Sequence, residues 1–153
     1  MAADLRQEIR QQKPFASLAQ EAHLNIERTH AAIDDGLEQL LKAHGVSGTQ
    51  YNVLRILRGA GIDGLCRQEI ADRLLTRMPD VTRLLDRMED AGLVERERSA
   101  ADRRIVSTRL TKTGRSLVDS LDTPVLEEHE RVLGHLSTSQ LRTLIELLTL
   151  ARG

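Results

Sequence analysis

Aromatic side chains are almost absent from this chain: Phe15 and Tyr51 are the only two among 153 residues. Whatever core forms must therefore be aliphatic, built from the Leu, Ile, Val and Ala that recur at helical spacing. There is one cysteine, Cys66, so no internal disulfide is possible and no zinc-finger spacing exists. No run of about 18 apolar residues and no signal peptide is present, and a soluble, cytoplasmic protein with no membrane partner is expected. Excess charge is missing too. The formal net charge of −1 argues weakly against a nucleic-acid partner. No Ser/His/Asp or Cys/His set, phosphate-cradling glycine loop or metal motif is visible, so neither an enzyme nor a cofactor is expected.

What the chain does contain is helical punctuation. Three Ser-x-x-Gln patterns, Ser17 to Gln20, Ser47 to Gln50 and Ser137 to Gln140, match the reciprocal capping box. A first helix is expected from Ser17 to His44, with Gly45 as its left-handed stop. At roughly 1.5 Å per residue it would be about 40 Å long, more than one small core can cover, so a partner is expected to cover it. Further helices are expected near Gly48–Arg58, Arg67–Leu75 and Pro79–Ala91, with an extended piece at Gly64–Cys66. Ile70, Ala71, Leu74 and Leu75 would face inward on the third, and Pro79 suits a first turn. A hairpin follows over Leu93–Leu110, with its turn at Ser99–Arg103. Thr111 caps a helix from Lys112, where Pro124 either kinks it or lets Thr123 cap a fresh start. The last helix, Ser137–Ala151, would turn Leu141, Leu144, Ile145, Leu147 and Leu148 inward.

The third and fourth helices have the layout of a helix-turn-helix, whose second helix enters the major groove of DNA. Charge distribution agrees better than net charge. Between Thr76 and Arg115 ten basic residues face seven acidic ones, a local balance of +3 against −4 for the rest. Nearly all the basic residues are arginine, which forks onto phosphate and guanine. On the fourth helix Arg77, Asp80, Thr82, Arg83 and Arg87 would face outward, with Val81, Leu84, Leu85 and Met88 inward. Asp80 suits two roles equally, accepting from a cytosine amine or compensating the helix dipole. The hairpin tip carries Asp102, Arg103 and Arg104. Arginines on such a tip can enter a narrow minor groove, while Asp102 can hold a neighbouring arginine or close the turn on its own backbone. A solvated charged face and a solubilising turn are the bland alternatives.

The run from Arg67 to Gly114, above all DVTRLLDRMEDAGLVER, the Asp102-Arg103-Arg104 tip and Leu110-Thr111 with Gly114, resembles the winged helix-turn-helix of the MarR family of transcription regulators; GVSGTQYNVLRILRGAG is similar to that family's second helix. The resemblance spans Ser17 to Arg152. It implies a mainly α (α+β) fold, a winged helix-turn-helix with long N- and C-terminal dimerisation helices. One domain over 1–153 would divide into a dimerisation region, 17–45 and 112–152, and a DNA-binding region, 48–110. It implies a homodimeric repressor on an inverted repeat of double-stranded DNA, either released by a small aromatic or phenolic effector or working with no effector at all. DNA contacts would then come from Thr76, Arg77, Asp80, Val81, Thr82, Arg83, Arg87, Arg98, Asp102, Arg103 and Arg104, with Asp102 bracing the wing. Arg28, Tyr51 and Arg115 stand near the expected effector pocket. The chain departs from the family where Leu74, Leu75 and Thr76 replace the turn glycine, and where Arg77 and Met78 stand in place of a capping serine.

Two other features have bland readings. Cys66 opens a helix, where a thiol can become reactive, but a small buried hydrophobe is the commoner role. His23, Glu27 and His30 share a helix face, with His129 elsewhere; surface residues at this spacing are common, and no metal site is expected. An alternative function is a winged-helix protein-interaction module without DNA binding.

Overall fold

The computed structural model describes residues 4–153. They fall into two compact units, one ending at Leu37 and one running Glu38–Gly153.

In the first unit Asp4 accepts from the Gln7 amide at 2.9 Å and opens α1 (Leu5–Glu8), a four-residue helix too short for periodicity to reveal. Ser17 then starts α2 (Leu18–Ala43), accepting from the Gln20 amide at 3.1 Å. The expected box is only half made, because the Gln20 side chain accepts from the Ala16 amide rather than that of Ser17. Of the 26 residues of α2 only Leu41 is buried, while Leu18 is 84% and Ile26 46% exposed.

The second unit begins with the end of α2, stopped by Gly45 at φ 80°. The Ser47–Gln50 box is complete, with contacts of 3.2 and 2.9 Å, and opens α3 (Gly48–Ala60). After it come β1 (Leu65–Cys66), α4 (Arg67–Arg73), α5 (Val81–Asp90), β2 (Val94–Arg98), β3 (Val106–Leu110), α6 (Lys112–Leu133) and α7 (Thr138–Arg152). The strands form one antiparallel sheet in the order β1-β3-β2, with Arg96 opposite Thr108 and Arg98 opposite Val106. This is the winged helix-turn-helix that the sequence led us to expect. Its core is aliphatic: Leu54, Leu57, Ile70, Leu85, Met88, Val94, Val118 and Leu121 are all but inaccessible.

The end of α5 is stitched to the start of α6. Gly92, at φ 72°, lets the Leu93 amide reach back to the Met88 carbonyl, closing α5 in a Schellman turn and aiming the chain into β2. The Thr111 hydroxyl donates to the Gly92 carbonyl at 2.6 Å and accepts from the Gly114 amide at 3.0 Å, so one side chain caps α6 and ties it to the turn after α5. Gly114 is buried against the backbone of Leu93, which explains why no side chain stands there.

Several expectations need correction. The helix expected to reach Leu75 stops at Arg73, and Leu75 is 85% exposed rather than inward. The fourth helix begins at Val81, so Pro79 precedes it instead of occupying its first turn. Of the two readings of Pro124, the fresh start capped by Thr123 is not the one seen: α6 runs on through both residues. The Ser137 box is complete, but α7 buries none of its residues, and Ile145 and Leu147 are 61% and 59% exposed. Leu141, Leu144 and Leu148 are half-buried, so among the described residues the apolar stripe is only partly covered.

Candidate nucleic-acid interface

The site is built on α5 and the hairpin after it. Asp80 takes the capping position of α5, its Oδ1 accepting from the Arg83 amide at 2.9 Å. The carboxylate thus serves the helix start. The seven residues between α4 and α5 make the turn, and α3 braces it: Asn52 Oδ1 accepts from the Leu75 amide at 2.9 Å. Thr76 and Arg77 are exposed in this turn, and Thr82, Arg83 and Arg87 are exposed on α5. Val81, expected among the DNA-reading residues as well as in the inward stripe, is only 5% exposed and belongs to the core with Leu84, Leu85 and Met88. It has no surface to offer a base.

The hairpin loop is Ser99–Ile105, two residues longer than expected. Asp102 closes it on its own backbone, Oδ1 accepting from the Arg104 amide at 2.9 Å. Ser99 Oγ accepts from the Ala101 amide at 3.2 Å, and Arg98 Nη1 donates to the Arg103 carbonyl at 3.2 Å. Arg98 thus supports the loop from within. The side chains of Arg103 and Arg104 are exposed at its tip.

Ion pairs sort the remaining charges. Arg109 on β3 lies across from Glu95 at 2.7 Å and Glu97 at 2.8 Å, on one face of the sheet. On the other face Arg96 meets Asp86 and Glu89 of α5, both at 2.6 Å. The Arg96 guanidinium holds the Glu89 carboxyl below its ordinary range, and Glu89 in turn raises Arg96. Four of the seven carboxylates in this stretch are thereby matched to two arginines. A charge balance read along the chain treats Arg96 as one more free cation and does not reveal this pairing. Its signal was Asp86 and Glu89 three apart on the helix side next to an arginine-bearing strand. Between α4, α5 and the hairpin lies an open cleft of about 630 Å³, lined by Thr82, Leu85, Arg96, Arg104, Val106 and Thr108 among others.

Outside this surface, Arg58 ties α3 to α6, its guanidinium 2.9 Å from Asp119 and 2.8 Å from Asp122. Asp122 contributes most to holding Arg58 above its ordinary value, and is itself held low by it. Of the expected effector residues, Arg28 pairs with Glu8 at 3.4 Å in the first unit. Tyr51 is buried in the second, with Arg55 6.0 Å over its ring, and burial pushes its phenol up. Arg115 is exposed on α6. Cys66 is half-buried rather than fully buried, and its amide donates to Glu69 at 2.8 Å, a Cys-x-x-Glu version of the capping box that a serine pattern does not reveal. Among the described residues no group of three His, Cys, Asp or Glu could hold a metal ion. His23 lies 3.8 Å from Glu27. Among them, too, no helix is long and apolar enough to cross a membrane.

A model of the MarR family matches residues 44–105, from the end of α2 through the hairpin loop. A MarR transcription factor from Planctomyces limnophilus is 43% identical, over 90% of this chain and 99% of that one, with a TM-score of 0.69. The chain belongs to the MarR family. A mutant of MarR from E. coli, solved in complex with operator DNA, is 25% identical over 97% of this chain and 99% of its own, with a TM-score of 0.77. The homoprotocatechuate degradative operon repressor of Escherichia coli is 28% identical over 109 residues, 71% of this chain and 72% of that protein. These MarR relatives are transcription regulators rather than enzymes, and this chain is accordingly a DNA-binding regulator of transcription.

Proposed function

We propose that this MarR-family protein is a homodimeric repressor that binds an inverted-repeat operator. In this reading α5 lies in the major groove and the 99–105 loop in the adjoining minor groove. The observation that carries it is the division of arginines just described: Arg77, Arg83, Arg87, Arg103 and Arg104 are exposed around α5 and the loop tip, while carboxylates occupy Arg96 and Arg109. Arg83 and Arg87, one helical turn apart, are assigned to base edges, where an arginine can fork onto guanine. Thr76, Arg77 and Thr82 are assigned to phosphates or a thymine methyl, Arg103 and Arg104 to the minor groove, and Asp80, Arg98 and Asp102 to holding these elements in shape. The operator complex of the E. coli relative supports DNA as the partner, and the operon repressor supports the sign of regulation.

Residues 17–45 and 112–152 are assigned to dimerisation and 48–110 to DNA. The apolar stripe of α7 and the exposed Leu18 and Ile26 of α2 support a second copy as the missing cover. Two-fold symmetry then places half-sites about 34 Å apart. A small aromatic or phenolic effector, met by Arg28, Tyr51 or Arg115, would release DNA by favouring dimers with the wrong separation.

The test is affinity against salt, for a duplex selected from a randomised pool and for arbitrary duplex. A steep fall with salt, together with a preference of at least a thousandfold for the selected duplex, is the expected result. Weak binding that salt does not change would favour the protein-interaction module instead.

A further inference from the structure

Arg96 is basic, lies inside the DNA-binding stretch, and sits beside the cleft between helix and hairpin. Its geometry points away from DNA. Its backbone amide donates to Glu89 Oε1 at 3.1 Å, its Nε to Glu89 Oε2 at 3.1 Å and its Nη2 to the same oxygen at 2.6 Å. Nη2 also meets Asp86 Oδ1 at 2.6 Å. Its side chain is 24% exposed, less than those of the carboxylates that hold it. Among the described residues no other strand residue is bound to α5 by both its backbone and its side chain.

β2 leaves α5 through the turn at Ala91–Leu93, and β3 is paired with β1, Leu65 opposite Thr108 and Cys66 opposite Ser107; beyond those pairs the angle of the hairpin to α5 depends on side-chain contacts. From Arg96 to the start of the loop at Ser99 is three residues of extended chain, about 10 Å at roughly 3.3 Å per residue. Over that lever a pivot of about 15° displaces the loop by about 2.5 Å, enough to break a groove contact fixed by hydrogen bonds of about 3 Å.

We propose that Arg96 is a positioning residue: gripped by Asp86 and Glu89, it sets the angle between the reading helix and the hairpin, and through it where Arg103 and Arg104 meet DNA. This rests on the reading of α5 and the hairpin as the DNA-binding surface. It gives Arg96 no phosphate of its own.

The test measures affinity for the selected duplex with Arg96→Lys, which keeps the charge but loses the fork, in two backgrounds. In the unaltered protein we expect at least tenfold weaker binding. In an Arg103→Ala/Arg104→Ala background, where there is no tip left to position, we expect less than a twofold further loss. A second variant, Asp86→Asn with Glu89→Gln, removes two negative charges near DNA, so electrostatics alone predicts tighter binding. Positioning predicts weaker binding, again only when the tip is present. Far-UV circular dichroism and melting identify any variant that fails to fold, and the Asn/Gln pair, which keeps side-chain shape, decides if the lysine variant does. Equal losses from Arg96→Lys in both backgrounds, no loss in either, or tighter binding by the Asn/Gln pair would each overturn the proposal. Failure of the unaltered protein to bind any duplex would instead remove the reading beneath it.

Discussion

Replacing glycine by alanine inside a helix normally stabilises a protein by about 0.5–1 kcal/mol, because the unfolded chain loses freedom. At Gly114, in the first turn of α6, the sign should reverse. A Cβ built there overlaps the Leu93 carbonyl oxygen and lies 2.9 Å from its carbon and 3.3 Å from its Cα. These are backbone atoms, which no rotamer change can move aside. Relief requires α6 to lift from the turn after α5, stretching the Thr111 hydroxyl from the Gly92 carbonyl and the Gly114 amide from Thr111. Overpacking of this kind costs about 1–3 kcal/mol, and a broken cap adds about 1 kcal/mol. Against a propensity gain of at most about 1 kcal/mol, Gly114→Ala should destabilise by about 1–3 kcal/mol. Gly59 in α3 is the control: a Cβ there meets nothing within 4 Å, so Gly59→Ala should stabilise by up to about 1 kcal/mol. Urea unfolding followed by circular dichroism, at one protein concentration throughout, measures both. A Gly114→Ala protein as stable as Gly59→Ala would refute the argument that close backbone approach excludes a side chain at this junction.

Other outcomes follow from the same geometry. Arg83→Ala should reduce discrimination between operator variants, whereas Arg104→Ala should weaken binding to all sequences and lower the salt slope by about 0.9 for each phosphate it no longer neutralises; fluorescence anisotropy on matched and random duplexes separates the two. Asp80→Ala removes the cap of α5 and should cost about 1 kcal/mol of stability, with Asp80→Ser restoring most of it, as read by thermal melting. Leu147→Glu on the exposed stripe of α7 should convert a dimer to a monomer in sedimentation equilibrium. The Arg58 contact holds the Asp122 carboxyl below its ordinary value, so its stabilising contribution is complete above about pH 4 and disappears as pH falls through the depressed value. Asp122→Asn should therefore flatten the acid limb of the stability–pH curve and leave neutral pH as the region of greatest destabilisation.

Most of the fold was legible because its signals are local. Capping serines fix three helix starts, Gly45 and Gly92 fix two stops, and the 3.6-residue stripe of Val81, Leu84, Leu85 and Met88 identifies the buried side of α5. The errors arose where a side chain had two partners to choose from. Proline at a helix start and aspartate at a cap are both common, and only the Asp80 contact to the Arg83 amide decides that α5 begins after Pro79. Leu75 carries a helical spacing, yet Asn52 from α3 claims its amide and turns the chain outward. Position along the chain could not say which arginines are spent internally, since Arg96 and Arg104 look alike until Glu89 is placed beside one of them. On α7 Leu141, Leu144 and Leu148 are half-buried as their spacing suggested, whereas Ile145 and Leu147 are exposed, because the sequence does not say whether a face packs within the chain or against a second copy.

Hydroxyl-radical footprinting of the protein on its selected duplex tests the central claim most directly. Two copies of α5 and its hairpin should protect the backbone in two symmetric blocks whose centres lie about one helical turn apart, each flanked by minor-groove protection that disappears with Arg103→Ala/Arg104→Ala while the central blocks remain. A single unsymmetric block, or flanking protection that survives removal of both arginines, would contradict it.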